Sequence, residues 1–135
     1  MTGEIDARLT ALNIELPDAP APAANYVPFV LSGNLVFVSG QVPWVGGERN
    51  FVGKVGIDYT VEEGQDAART VALNIIAQVK AACDGDLDRV VRCIKLGGFV
   101  NCPDNFHQQP QVINGASDLM VDVFGDAGRH SRFAV

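Results

Sequence analysis

Apolar residues recur every three to four positions in three stretches of the chain and run almost unbroken in others. That contrast sets the expected elements. In residues 4–13 (EIDARLTALN), Ile5, Leu9 and Leu12 fall at helical spacing and predict a short amphipathic helix. The clearest helix starts at Thr60, where Thr60 and Glu63 make a T-x-x-E capping box, each side chain satisfying an amide that the helix start leaves unpaired. Ala68, Val71, Ala72, Ile75, Val79 and Ala82 then form one apolar stripe, and Gly85, after Cys83 and Asp84, supplies the stop. A last helix is expected to begin near Pro103–Asp104, capped by Asn101 or Cys102, with Pro110 breaking off its first turn. Its main body turns Val112, Ile113, Ala116, Leu119, Met120, Val123 and Phe124 to one face before Gly125 ends it.

The remaining apolar runs read as strands. Leu35–Val42 follows a turn at Ser32–Asn34 and is nearly continuous rather than alternating, which predicts a strand covered on both faces. Gly46–Gly47 permit a reversal into a return strand at Phe51–Val55. Leu87–Val100 (LDRVVRCIKLGGFV) reads as a further strand loosened at Gly97–Gly98, and the final RHSRFAV starts like another. Between the first helix and the first strand, LPDAPAPAANYVP carries Pro17, Pro20, Pro22 and Pro28 and is expected to lie extended over the surface. The whole is a single α+β domain over residues 1–135, with residues 1–28 as an N-terminal helix and proline-rich arm. Two helices of this length cover one face of a small sheet. The other face then calls for a second copy of the chain, so a homo-oligomer is expected.

Composition agrees with a globular domain: 135 residues, 47% apolar and 19% charged. No window approaches the eighteen apolar residues of a membrane span. The N-terminus, MTGEIDARLTALNIELPDAP, lacks the basic start and apolar run of a secretory signal. A soluble cytoplasmic protein with no membrane partner is therefore expected. The net charge of -6 and the dispersal of the ten Lys and Arg residues argue against nucleic acid as a partner. Cys83, Cys93 and Cys102 are an odd set without metal-type spacing, and read as free thiols in a reducing compartment.

Candidate chemistry is sparse. The sequence has no glycine-rich phosphate loop, H-E-x-x-H, C-x-x-C or G-x-S-x-G. His107, among Gln108 and Gln109, reads as a solvated residue. His130 lies between Arg129 and Arg132, the one basic cluster that coincides with a possible pocket. Arg132 follows a glycine-containing loop and opens an apolar strand-like stretch. Its planar, permanently charged fork suits a carboxylate, although the residues alone favour a solvated or ion-paired arginine.

APAANYVP, SGNLVFVSGQVP, the helix after Thr60, KLGGFVN, VINGASDLMVDVFG and GRHSR occur in that order over about residues 18–135. Together they resemble the RidA/YjgF family of reactive-intermediate deaminases, also known as the endoribonuclease L-PSP family, and its larger-subunit branch in particular. The resemblance implies a chorismate-mutase-like subunit, with a mixed or antiparallel sheet and two helices packed on one face. It also implies a homotrimer whose sheets form a central barrel and whose sites lie in clefts between subunits. Carried over by position, Arg132 would be the catalytic anchor, binding a substrate carboxylate bidentately. Tyr26 would line the pocket, Ser39 with Gly40 would contact the ligand, and Asn114 matches a helix asparagine.

The activity so implied is hydrolysis of enamine or imine intermediates of 2-amino acids to 2-keto acids and ammonia. The partner is a small carboxylate-bearing metabolite, and neither metal nor cofactor is called for. A non-catalytic trimer that senses a small carboxylate is the alternative, and an endoribonuclease a weaker one. Three departures stand out. In the family a further strand bearing a water-positioning glutamate follows the arginine, whereas this sequence ends at Val135. Phe133 stands where the family often has a small residue. The cysteine common shortly after the arginine is absent, Ala134 and Val135 occupying that region.

Overall fold

The computed structural model describes residues 3–135. Its first helix, α1 (Glu4–Ala11), has Gly3 at the N-cap and so no capping side chain of its own. The carboxylate of Asp88 supplies the cap from far along the chain, accepting from the N–H groups of Glu4 and Ile5 at 2.9 Å each. The second helix, α2 (Val61–Ala82), starts as expected: the Glu63 N–H donates to Thr60 Oγ1 at 3.1 Å and the Thr60 N–H to Glu63 Oε1 at 3.0 Å. At its other end the Gly85 N–H reaches the Lys80 carbonyl at 2.8 Å and the Asp84 N–H reaches that of Ala81 at 3.2 Å. This closing turn puts both Asp84, at φ 54°, and Gly85, at φ 89°, at positive φ, the conformation for which the glycine stop is suited.

The third helix, α3 (Gln109–Phe124), begins later than the sequence suggested. Pro110 lies within its first turn, where the missing N–H would have been unpaired in any case, so the proline opens the helix instead of breaking it. Gly125, at φ 62°, ends it and leads into a 3-10 turn, Gly125–Gly128.

The strands are shorter than their apolar runs. β1 (Phe29–Ser32) and β2 (Leu35–Val38) form an antiparallel hairpin through Gly33–Asn34, with Gly33 at φ 61°. The ladder ends with the Ser39 N–H on the Pro28 carbonyl, because Pro28 has no N–H to extend it. Residues 39–42, expected within the strand, instead lead toward α2, where buried Asn74 donates to the carbonyls of Val42 and Trp44 at 3.1 and 3.0 Å.

The return strand expected at Phe51–Val55 does not form. Phe51 and Gly53 take positive φ, which breaks the pleat, and Val55 bonds across the molecule to the Asn101 carbonyl. The long strand expected at Leu87–Val100 is reduced to β3 (Lys95–Gly98). Its first residues, Leu87–Arg89, form a 3-10 turn that Asp86 caps. β4 (Ser131–Ala134) pairs parallel with β3, Leu96 opposite Arg132. The fold is therefore mixed α+β, but its strands form two separate pairs, one antiparallel and one parallel, in place of one sheet.

The core lies among α1, α2, α3 and the Leu87 turn, where Leu9, Ala72, Ile76, Leu87, Leu119 and Val123 are buried. α2 and α3 approach closely at two glycines, Gly64 against the Val112 side chain and Gly115 against the backbone of Gln65. Between these helices and the two strand pairs runs a groove of about 1140 Å³, lined by Val36, Val38, Ile75, Val79, Leu96 and Ile113 among others. The outer face of the hairpin is open in the single chain. Val30 is 51% and Phe37, its cross-strand partner, 58% exposed. Among the described residues no helix is long and apolar enough to cross a membrane.

Candidate functional site

Arg132 stands on β4 with its side chain laid against α3. One terminal nitrogen donates to Ser117 Oγ and the other to the carbonyl of Pro110, both at 3.1 Å. Pro110, Asn114 and Ser117 are spaced at i, i+4 and i+7, so they share one stripe of α3 and the guanidinium spans the turn that carries half-buried Asn114. A guanidinium has five N–H donors in a fixed fork. These two bonds engage both terminal nitrogens with one bond each, and no carboxylate pairs with Arg132 among the described residues. A half-buried guanidinium with N–H groups to spare and no carboxylate beside it has the chemistry to meet an anion.

Ser117 is itself held. Its hydroxyl lies 2.8 Å from His130 Nε2, and His130 Nδ1 lies 2.6 Å from the Gly128 carbonyl. Close packing fixes that carbonyl: a side chain at Gly128 would stand 2.5 Å from the Met120 carbonyl carbon and 2.9 Å from the Val121 nitrogen. The guanidinium of Arg92 also holds the Arg129 carbonyl, at 3.0 Å. The approach from α3 into β4 is thus pinned residue by residue. Phe133, next in the strand, turns away to pack edge-on against Phe99, with Lys95 over its ring.

Tyr26, Ser39 and Gly40 form a second group at the base of the hairpin. Ser39 Oγ donates to the Val27 carbonyl at 2.6 Å, tying the strand end to the residue after Tyr26. Tyr26 is 47% exposed. At Gly40 nothing lies within 4 Å of where a side chain would stand, so the backbone beside Ser39 is open to an approaching ligand. α2 positions this group through two buried amides. Asn74 holds the segment after Gly40, and Gln78 donates to the Pro20 carbonyl of the arm at 2.6 Å.

The structure therefore sets Arg132 against the stripe of α3 that carries Asn114, and ties Ser39, beside Gly40, to the residue after Tyr26. No hydrogen bond or ion pair among the described residues joins the two groups within one chain. Sequence reasoning missed Ser117, Asn74 and Gln78. The i, i+4, i+7 spacing of Pro110, Asn114 and Ser117 was the available signal for the first; Asn74 and Gln78 sit at i and i+4 within the otherwise apolar stretch 71–79 of α2.

Other chemistry is thin. Burial pushes the Cys93 thiol above its ordinary value, with the Arg92 charge opposing, so it rests as a protonated thiol and not as a nucleophile. His107 is exposed. Among the described residues no group of three or more His, Cys, Asp or Glu side chains could hold a metal ion.

A small α+β unit with a half-buried arginine on its last strand is what the structure presents, and comparison with known proteins identifies the family. Residues 6–135 match the family model described as "YjgF/chorismate_mutase-like, putative endoribonuclease". The chain belongs to this YjgF/chorismate-mutase-like family. It is 51% identical to Protein TCP17 of Trypanosoma cruzi over 137 residues, covering 99% of this chain and 84% of that protein. A crystal structure of a protein of unknown function from Agrobacterium tumefaciens is 51% identical, with a TM-score of 0.88 over 97% of this chain and 80% of that one. A second, from Shewanella oneidensis and described as a "putative endoribonuclease", is 41% identical, with a TM-score of 0.92 over 97% and 86% of the two chains.

Proposed function

We propose that this chain is a hydrolase that deaminates enamine or imine intermediates of 2-amino acids, working as a homotrimer with its sites between subunits. The observation that carries the reading is Arg132, half-buried, held to α3 by two hydrogen bonds and without a carboxylate partner among the described residues. The site would unite Arg132 and Asn114 of one subunit with Tyr26, Ser39 and Gly40 of the next. The open apolar faces support such an assembly. Val30 and Phe37 on the hairpin and Val91 and Phe99 beside β3, at 90% and 80% exposure, are costly to leave in water.

The reaction asks little of the protein. A 2-imino acid carries a carboxylate beside its C=N carbon. Pairing that carboxylate with Arg132 withdraws electron density from the carbon and fixes its orientation. The oxygen of a water adds to the carbon as the nitrogen takes up a proton. The resulting carbinolamine then expels ammonia and leaves a 2-keto acid. No covalent intermediate with the protein is required, which suits a site without an activated nucleophile.

The test is ammonia release from 2-iminobutyrate generated in situ, measured on protein whose mass in solution has been established by analytical ultracentrifugation. A trimer that releases ammonia faster than the protein-free control supports the reading. Stabilisation by 2-ketobutyrate without turnover would assign a carboxylate sensor instead. Cleavage of RNA that Arg132→Ala abolishes, with no effect on the imine, would assign the activity in the family's description.

A further inference from the structure

We propose that Ser117 and His130 are positioning residues for Arg132, forming a clamp with a fixed direction of hydrogen bonding that holds the guanidinium in one orientation for its ligand. The direction follows from the two ends of this series of hydrogen bonds, since the guanidinium can only donate and a carbonyl can only accept. The Gly128 carbonyl can only accept, so His130 Nδ1, 2.6 Å away, carries the proton. In the neutral ring Nε2 can then only accept, so the Ser117 hydroxyl 2.8 Å away donates its proton to it. With its hydrogen committed, Ser117 Oγ presents lone pairs to Arg132, which donates at 3.1 Å.

A serine free to rotate would spend part of its time with its own hydrogen toward the guanidinium, repelling it. His130 removes that state. The second hold, on the Pro110 carbonyl, lies two helical turns away along the same stripe and prevents the planar fork from swinging about the first. The clamp thus links the middle of α3, the turn after the helix and the strand that carries the anchor.

The proposal rests on Arg132 as a carboxylate anchor, so the experiment reads the side chain and the ligand separately. Nitrogen-15 NMR of the arginine side chains, with the Arg132 signals assigned by their loss in Arg132→Lys, reports guanidinium rotation without any ligand. Slow rotation with resolved Nη signals is expected in the wild type and in Ser117→Thr, which keeps the hydroxyl. Averaged signals are expected in Ser117→Ala and in His130→Asn, which can keep a donor to Gly128 but has nothing at the position of Nε2. Titration with 2-ketobutyrate should give affinities about tenfold weaker in those two variants, the factor a lost charge-assisted hydrogen bond gives, with Ser117→Thr near the wild type. An Arg132 that rotates freely in the wild type, or as slowly in Ser117→Ala, overturns the clamp. A clamp seen by NMR in a protein that binds no carboxylate supports the positioning and sinks only the ligand reading.

Discussion

The α2–α3 crossing should fail when Gly115 acquires a single methyl group. A Cβ at that position would stand 2.8 Å from the Gln65 carbonyl carbon and 2.9 Å from its Cα, and closer still to the carbonyl oxygen. All three are backbone atoms of α2, so no rotamer change can make room. Two effects oppose each other in Gly115→Ala. Replacing a glycine in a helix interior gains up to about 1 kcal/mol of helix propensity. Forcing a methyl into a packed contact costs about 1–3 kcal/mol, and a backbone neighbour places this site toward the upper end. The net expectation is a loss of about 1–2 kcal/mol, which lowers the melting temperature by several degrees in a chain of this size. Urea unfolding followed by circular dichroism at one fixed protein concentration measures it, with the midpoint shifting at an unchanged slope. A variant as stable as the wild type, or more stable, would refute the close crossing and with it the placement of Asn114 and Ser117 on the neighbouring turn.

Two further predictions concern groups that hold distant segments. Asn74→Ala removes both donors to Val42 and Trp44 from a residue only 2% exposed, and should cost about 1–3 kcal/mol in the same unfolding experiment. It should also weaken 2-ketobutyrate binding, since it frees the segment after Gly40. Capping of α1 by Asp88 should depend on pH. The bonds from Ile5 and Glu4 lower the Asp88 carboxyl below its ordinary value of 3.8. Its stabilising contribution is therefore complete above that value and is lost as the pH falls from there through the lower value of the folded state. The stability difference between wild type and Asp88→Asn should stay constant above about pH 5 and narrow below about pH 4. A difference that stays constant down to about pH 3 would show that the carboxylate is not the cap.

The helices were legible because their signals are local. Thr60 and Glu63 lie three residues apart, and the apolar face of α3 repeats over its own length, so neither needed the rest of the fold to be read. The strands were not, because what trims them is distant or conformational. Pro28 ends a ladder whose other strand begins at Leu35. Phe51, a residue type favoured in strands, takes a positive φ. Val55 finds its partner at Asn101. The long run before Gly98 divides because Asp86 caps a turn and Asp88, two residues on, is drawn to α1. The apolar richness of the hairpin was read as a strand covered on both faces, and in the single chain its outer face is open.

The candidate site divides along the same line. Arg132 stood out by its place at the head of a strand, and the resemblance gave it a role. Ser117 did not stand out, because a helical serine announces itself only once His130 and Arg132 are seen to converge on it. The two amides of α2 that hold the Tyr26 and Ser39 region were hidden inside an apolar pattern. Polar residues in that setting are worth noting in any amphipathic helix, since burial forces them to find a partner.

Central to all of this is Arg132 as the anchor for a substrate carboxylate. The most direct measurement is kcat/KM for hydrolysis of 2-iminobutyrate by the wild type, Arg132→Lys and Arg132→Ala, each shown to be folded and of the same mass in solution. The account predicts acceleration by the wild type, a fall of about 100-fold or more in Arg132→Ala, and only partial recovery with lysine, which supplies a point charge without the two-pronged fork. Equal rates for wild type and Arg132→Ala, or a wild type no faster than solvent, would contradict it.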